Sequence, residues 1–230
     1  MVVVPRELYT GDWSAFNTQE EAYNKAYNQL NSIEYIKSYN TILDIGCGPG
    51  RLALGLINNN AEIKKYVGVD VNKTPIEWCK TNLTTLNGNY DFFHLNKYNA
   101  RYAPSNSTEK FSYFDNDVFK NKYDLVYLYS VFSHLEPDDL IDYLNLFKNI
   151  LEPNGVVYAT VFVGDEVDTY EENPTHLSFL TFKPAGRLHV CYYNKSYFEG
   201  LVKNAGLKIL ECSYRFQEEN DGQMLYILSA

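Results

Sequence analysis

The stretch Thr41-Ile42-Leu43-Asp44-Ile45-Gly46-Cys47-Gly48-Pro49-Gly50-Arg51 decides the fold. Its first five residues form a short apolar, β-branched run, the pattern of a buried strand. Gly46, Gly48 and Gly50 follow at every second position, and Leu52-Ala53-Leu54-Gly55-Leu56-Ile57 then opens a helix. Glycine is needed where the backbone turns tightly and where a ligand must approach without a Cβ in the way. The stretch therefore predicts a strand, a nucleoside-accepting loop and a helix.

Outward from it, strand-like and helix-like segments alternate, which predicts a parallel sheet covered by helices on both faces. Strands are expected over Tyr66–Asp70, Tyr90–Leu95 and Tyr123–Tyr129. Between the first two of these, Pro75–Leu86 reads as a helix with Thr74 as N-cap and Pro75 in its first position. Pro137–Leu151 is amphipathic, with Leu140, Tyr143, Leu144, Phe147 and Ile150 at helical spacing. Glu152-Pro153-Asn154-Gly155 makes a turn into Val156–Val163, whose nearly unbroken apolar character places it centrally in the sheet. Asn194–Asn204 reads as a helix closed by Gly206. Leu207–Tyr214 and Met224–Ser229 are the last strands, joined by a polar turn over Glu218–Gly222 and so antiparallel. Three segments fall outside this plan: 1–39, 97–122 and 164–190. Long connections in a compact domain are usually functional or disordered. The first and third read as covers over the C-terminal edge of the sheet, within a single domain spanning 1–230.

Composition narrows the partners. The net charge is −9, from 20 Lys+Arg against 29 Asp+Glu, and Lys64-Lys65 is the densest basic pair. Polyphosphate binding needs local positive charge, so nucleic acid is excluded as an expected partner. The four cysteines, Cys47, Cys79, Cys191 and Cys212, are scattered without metal-ligand spacing and read as reduced thiols. The apolar runs are far below membrane-spanning length and the N-terminus has no signal-peptide pattern. A soluble, cytoplasmic chain without membrane insertion is expected. The sequence does not set its oligomeric state.

A dinucleotide site wants G-x-G-x-x-G, but Arg51 stands in the third glycine's place and the spacing is G-x-G-x-G. Asp44–Arg51 instead resembles motif I of class I S-adenosylmethionine-dependent methyltransferases. Val67-Gly68-Val69-Asp70 resembles the family's second-strand motif with its terminal acid. Tyr123-Asp124-Leu125-Val126, running into Ser130-Val131-Phe132-Ser133-His134-Leu135, resembles the fourth-strand motif. Leu151-Glu152-Pro153-Asn154-Gly155-Val156 resembles the turn before strand five, with Asn154 replacing its first glycine. The resemblance covers residues 40–163 and extends to the C-terminal helix and strand pair. It implies a three-layer α/β Rossmann-like sandwich with a mostly parallel seven-stranded sheet and an antiparallel C-terminal strand. It implies S-adenosylmethionine as cofactor and S-adenosylhomocysteine as product. No metal is expected, the alternative being Mg²⁺ at Glu136, Asp138 and Asp139, which otherwise meet the dipole of their helix.

The resemblance also assigns residues. Asp44 attracts the cofactor's ammonium, and the backbone of Gly46, Cys47, Gly48 and Gly50 lets the cofactor lie close. Asp70 accepts from the ribose hydroxyls, Val71 packs on the adenine and Asn96 meets the adenine amine. Tyr129 and Ser130 border the methionine part. Arg51 has two readings, a reach to the cofactor carboxylate or a solvent-facing helix position. His134, on the fourth-strand loop, is the candidate base or substrate contact, with a structural role at the following helix as the alternative. Trp13 and Tyr102 are candidate substrate walls.

Methyl transfer is an in-line displacement, so the protein mainly aligns the nucleophile and excludes water. The Asn/Asp-Pro-Pro-aromatic signature of exocyclic-amine methylation is absent, since Tyr129-Ser130-Val131-Phe132 stands there. Gly11-Asp12-Trp13, Asn99-Ala100-Arg101-Tyr102 and Ser130–His134 are similar to a glycan-associated branch of methyltransferases, which implies O-methylation of a sugar hydroxyl. N- or O-methylation of another metabolite or a protein, a non-catalytic cofactor-binding protein and an NAD-dependent oxidoreductase stay open at this point.

Overall fold

The computed structural model describes residues 2–9, 18–36, 39–86, 88–109, 111–177, 180, 183–214 and 222–230. Trp13, with its neighbours Gly11 and Asp12, lies outside the described residues, as does most of the expected 218–222 turn.

Five strands run parallel in the order β3 (Tyr90–His94), β2 (Lys65–Asp70), β1 (Thr41–Ile45), β4 (Tyr123–Leu128) and β5 (Leu151–Gly164). β9 (Met224–Ser229) lies antiparallel against β5, and β8 (Lys208–Ser213) antiparallel against β9. These seven strands form the mostly parallel Rossmann-like sheet with its antiparallel C-terminal strand. The chain passes from β1 outward to β2 and β3, then returns to β4 on the other side of β1. That reversal leaves a crevice outside the C-terminal ends of β1 and β4, where open α/β sheets bind their ligands.

Two further strands were not legible in the sequence. β6 (Tyr170–Glu172) and β7 (Cys191–Asn194) come from the 164–190 region and its exit. β5 accommodates both partners along one edge: Val156–Val161 pairs with β9, and Phe162–Gly164 pairs parallel with β7, which carries β6. β5 also starts early, because Leu151 already pairs with Tyr123 across a register shift. The expected Glu152–Gly155 turn is thus absorbed into an irregular strand.

The helices form two outer layers. α4 (Pro137–Ile150) and α5 (Lys195–Asn204) contribute Leu144, Phe147, Phe198 and Val202 to one core. α1 (Gln19–Asn31), α2 (Arg51–Asn58) and α3 (Lys73–Asn82) contribute Tyr23, Leu30, Leu52, Leu56 and Ile76 to the other. Thr18 caps α1 by accepting from the Glu21 amide, and Asn194 caps α5 by accepting from the Tyr197 amide. α1 can sit close on α2 because position 55 is glycine. A Cβ there would stand 2.4 Å from the Tyr23 carbonyl oxygen.

The expected helix at Pro75–Leu86 is displaced. It runs Lys73–Asn82, and its cap is Asn72, whose side chain accepts from the Thr74 amide at 3.2 Å. Pro75 is the third helical residue, still within the first turn, where a missing N–H costs no intrahelical hydrogen bond.

Candidate functional site

The crevice is built on the glycine loop that leaves β1. Gly46, Gly48 and Gly50 all have left-handed backbone, with φ of 73°, 50° and 82°. Side chains are also excluded sterically: a Cβ on Gly46 would meet Val131 Cγ2 at 2.6 Å, and one on Gly50 would meet Leu83 Cδ1 at 2.6 Å. The amides of Gly46 and Cys47 donate to the Val69 carbonyl at 2.8 and 3.1 Å, which pins the loop to β2. Gly50 then hands the chain to α2. Cys47 is buried and contributes its backbone to the loop, while burial pushes its thiol well above the usual range. It is an inert thiol rather than a nucleophile.

Two acids flank this loop. Asp70, ending β2, accepts from the Gly48 amide at 2.9 Å through Oδ2 and from the Asn72 amide at 2.7 Å through Oδ1. A carboxylate has about four lone-pair sites, so each oxygen keeps capacity for one more donor. Two adjacent hydroxyls of a ribose fit that remaining capacity. Burial raises the Asp70 carboxyl above its ordinary value, and the same amide hydrogen bonds oppose the rise. Asp44 is buried in β1 and accepts a hydrogen bond from the Tyr66 hydroxyl. Its carboxyl is pushed up to about 7 by burial, against the Tyr66 hydrogen bond and the charge of Arg51.

The next segment is held by a residue that sequence reasoning missed. Asn106 donates through Nδ2 to the Val71 carbonyl at 2.9 Å and lies 3.2 Å from the carbonyls of Leu95 and Lys97. The Val71 carbonyl also lies 3.1 Å from His94 Nε2. Val71 and Asn96, the two residues assigned to the adenine, are thus tied to one turn. Asn96 is exposed and accepts from the Ser107 amide at 3.3 Å. Asn106 sits in an irregular stretch whose pattern gives no periodicity to read.

Arg51, the first residue of α2, lays its guanidinium over the Tyr129 ring, 4.1 Å from the centroid. Below it the rings of Tyr129, Tyr127 and Tyr158 stack in series at 6.5 and 4.7 Å. The chain then turns sharply at Ser130, a non-glycine residue at φ 57°. The strain is held by hydrogen bonds. The Ser130 amide donates to Thr160 Oγ1 at 2.7 Å, its hydroxyl lies 2.9 Å from that of Ser133, and Gln223 Nε2 donates to Ser130 Oγ at 2.9 Å. Thr160 in turn donates to Gln223 Oε1 at 2.9 Å, so β4, β5 and the start of β9 share one network. Non-glycine residues in the left-handed region cluster at functional sites.

Past this turn, His134 and Tyr102 meet. His134 Nδ1 lies 2.9 Å from the Leu188 carbonyl, which can only accept, so Nδ1 carries the proton. Nε2 is then the acceptor, and the Tyr102 hydroxyl donates to it at 3.2 Å. Burial lowers the His134 pKa to about 4, with the Leu188 hydrogen bond opposing and the Arg101 charge adding. The imidazole is therefore neutral at ordinary pH. Burial keeps the Tyr102 phenol protonated, despite the nearby Arg101. Asn99 builds the turn, its Oδ1 accepting from the Arg101 and Tyr102 amides at 3.0 and 2.9 Å. The 164–190 region supplies Leu188, and Arg187 fastens it there through Glu172 at 2.9 Å and Glu136 at 3.0 Å. Among the described residues no group of three or more His, Cys, Asp or Glu could hold a metal ion.

The fold has counterparts in known proteins. The family described as "Methyltransferase domain" matches residues 17–212, and the chain belongs to that family. An O-methyltransferase family protein from Burkholderia thailandensis superposes over 92% of this chain and 57% of its own, with 14% identity and a TM-score of 0.63. The 1,6-didemethyltoxoflavin-N1-methyltransferase of the same organism, solved with bound 1,6-didemethyltoxoflavin and S-adenosylhomocysteine, superposes over 91% of this chain and 78% of its own. Its identity is 17% and its TM-score 0.57. A curated relative, the uncharacterized protein MJ0284 of Methanocaldococcus jannaschii, is 39% identical over 54 residues, 24% of either chain. The fold is that of the S-adenosylmethionine-dependent methyltransferases.

Proposed function

We propose that this protein transfers a methyl group from S-adenosylmethionine to a hydroxyl of a small sugar-containing acceptor. The cofactor is assigned to the crevice between β1 and β4, with Asp44 toward its ammonium, Asp70 toward its ribose, and Arg51 and Tyr129 beside its methionine part. When bound, it supplies the activated methyl on a sulfonium, so the chain need only align and deprotonate the acceptor.

The observation that carries the acceptor assignment is the directed chain Tyr102 hydroxyl, His134 Nε2–Nδ1, Leu188 carbonyl. Tyr102 donates its own proton to Nε2 and presents oxygen lone pairs to an incoming hydroxyl. As the acceptor's proton leaves, Tyr102 takes it and passes its own to His134. His134 is neutral with Nε2 as an acceptor, and the burial that keeps it so also makes it a weak base. Its part is to accept and orient the Tyr102 hydrogen bond, and to take the proton only as the transfer completes. In this reading Tyr102 touches the acceptor and His134 acts through it. The 164–190 region forms the facing wall. The tyrosine ring also offers a face for an apolar sugar surface.

The test is labelled-methyl incorporation from S-adenosylmethionine into a panel of glycosides and, in parallel, amines, with Asp70→Ala as the cofactor-site control. Incorporation at a glycoside hydroxyl is expected, with Tyr102→Phe lowering kcat by roughly 10²-fold, the scale of acid–base assistance. Incorporation into amines alone, or full activity in Tyr102→Phe, would remove the reading.

A further inference from the structure

Arg101 sits next to Tyr102, shares a side-chain hydrogen bond with its hydroxyl, and is still left with one unpartnered donor. Its Nη1 donates to the Ala185 carbonyl at 3.2 Å, and its guanidinium carbon lies 5.4 Å from the Tyr102 ring centroid. Its Nε–H is buried and has no hydrogen-bond partner. Neighbouring cations are neutralised: Lys97 pairs with Asp139 at 2.7 Å, and Arg187 with Glu172 and Glu136. No carboxylate among the described residues pairs with Arg101. Its charge is still felt, since it helps to hold both His134 and His189 below their ordinary value.

A buried, unmatched donor on a charged group is costly, and an ionised acceptor is the partner that removes the cost. Nε belongs to the fork edge of the guanidinium, the edge that takes two oxygens of a carboxylate side by side. We infer that Arg101 binds an oxyanion on the acceptor itself, a carboxylate held beside the hydroxyl that faces Tyr102. The acceptor is then an anionic sugar of the uronic-acid type, not a neutral one. This rests on the assignment of Tyr102 and His134 to the acceptor, and it adds charge selection to it. The rival occupant is the carboxylate of the cofactor's methionine part.

Methyl glucuronoside and methyl glucoside differ by a carboxylate in place of a hydroxymethyl group, so they isolate this contact. The full chain, saturated with S-adenosylhomocysteine, is titrated with each while the arginine Nε–H resonances are followed by ¹⁵N NMR. The Arg101 signal is identified by its loss in Arg101→Gln. It is expected to move and saturate with the glucuronoside and to stay still with the glucoside. Arg101→Gln is expected to weaken the glucuronoside by about tenfold or more, the scale of a charged hydrogen bond, while S-adenosylhomocysteine affinity is unchanged. Arg101→Lys, which keeps the charge without the fork, should fall between. A signal that ignores the glucuronoside, or follows both glycosides alike, overturns the inference. So does loss of S-adenosylhomocysteine affinity in Arg101→Gln, which would give Arg101 to the cofactor. A wild-type chain that binds no S-adenosylhomocysteine would instead remove the methyltransferase assignment beneath it.

Discussion

Asp44 shows how burial sets the ionisation of a single carboxyl. A free aspartate ionises near 3.8, but in this fold the Asp44 carboxyl is pushed up to about 7 by burial. Because the folded value is raised, the ligand-free protein gains stability from Asp44 at low pH and loses it as pH rises through about 7. A cofactor ammonium placed beside the carboxyl favours its charged form. S-adenosylhomocysteine should therefore bind more weakly as pH falls below about 7, by up to about tenfold per pH unit. Isothermal titration near pH 6 and pH 8 checks this, and Asp44→Asn should flatten the slope. A wild-type affinity that does not change with pH would take Asp44 away from the ammonium. A second prediction concerns Thr160, which bonds both the Ser130 amide and Gln223. Thr160→Val keeps the shape but removes the hydrogen bonds to the Ser130 amide and Gln223 Oε1, so it should cost about 1–3 kcal/mol in denaturant unfolding. Ser130 would also lose the bond that holds its left-handed backbone, and cofactor affinity should drop with it.

At the scale of elements, the contact of α1 with α2 depends on the absence of one side chain. Gly55→Ala would drive a Cβ into the Tyr23 carbonyl, and backbone cannot swing aside as a flexible side chain can. Overpacking of this kind should cost about 1–3 kcal/mol, read from the denaturation midpoint. The comparable change at Gly200, where a Cβ meets nothing within 4 Å, should be near neutral or mildly stabilising. Much of this architecture was legible. The β1 run, the α4 periodicity and the Asn194–Asn204 helix could be read because each follows a single local period. What was not legible depends on distant partners. β6 and β7 are four residues or fewer, and they exist because the end of β5 offers them a ladder. The α3 boundary moved because Asn72 competes with Thr74 for the cap, and only the geometry after Asp70 decides between them. Of the candidate site, the glycine loop was readable from spacing and the two acids from the family resemblance, whereas Asn106, Thr160, Gln223 and Leu188 were not. Each makes at least one hydrogen bond to a residue 30 or more positions away, and such bonds leave no local pattern.

For the molecule as a whole, the two halves of the site are supported differently. The glycine loop and its two acids, the core of the proposed cofactor side, rest on adjacent parallel strands and their first helix within residues 41–70. The Tyr102–His134 side is assembled from the loop after β3, the loop after β4 and the 164–190 region. Changes in that region should therefore alter acceptor handling while leaving S-adenosylhomocysteine affinity intact. Glu172→Gln, which loosens Arg187 and the Leu188 amide, is expected to lower kcat/KM with little change in cofactor binding. The long β5 carries a consequence of its own. Beyond β9, the backbone of Phe162–Gly164 would be a bare row of donors and acceptors at the rim, and β7 is what occupies it. β7, with β6 paired to it, is thus also a guard against edge-to-edge association. Shortening it would give a protein that sticks to its own copies before it loses its fold, visible as a mass above that of the intact chain in light scattering.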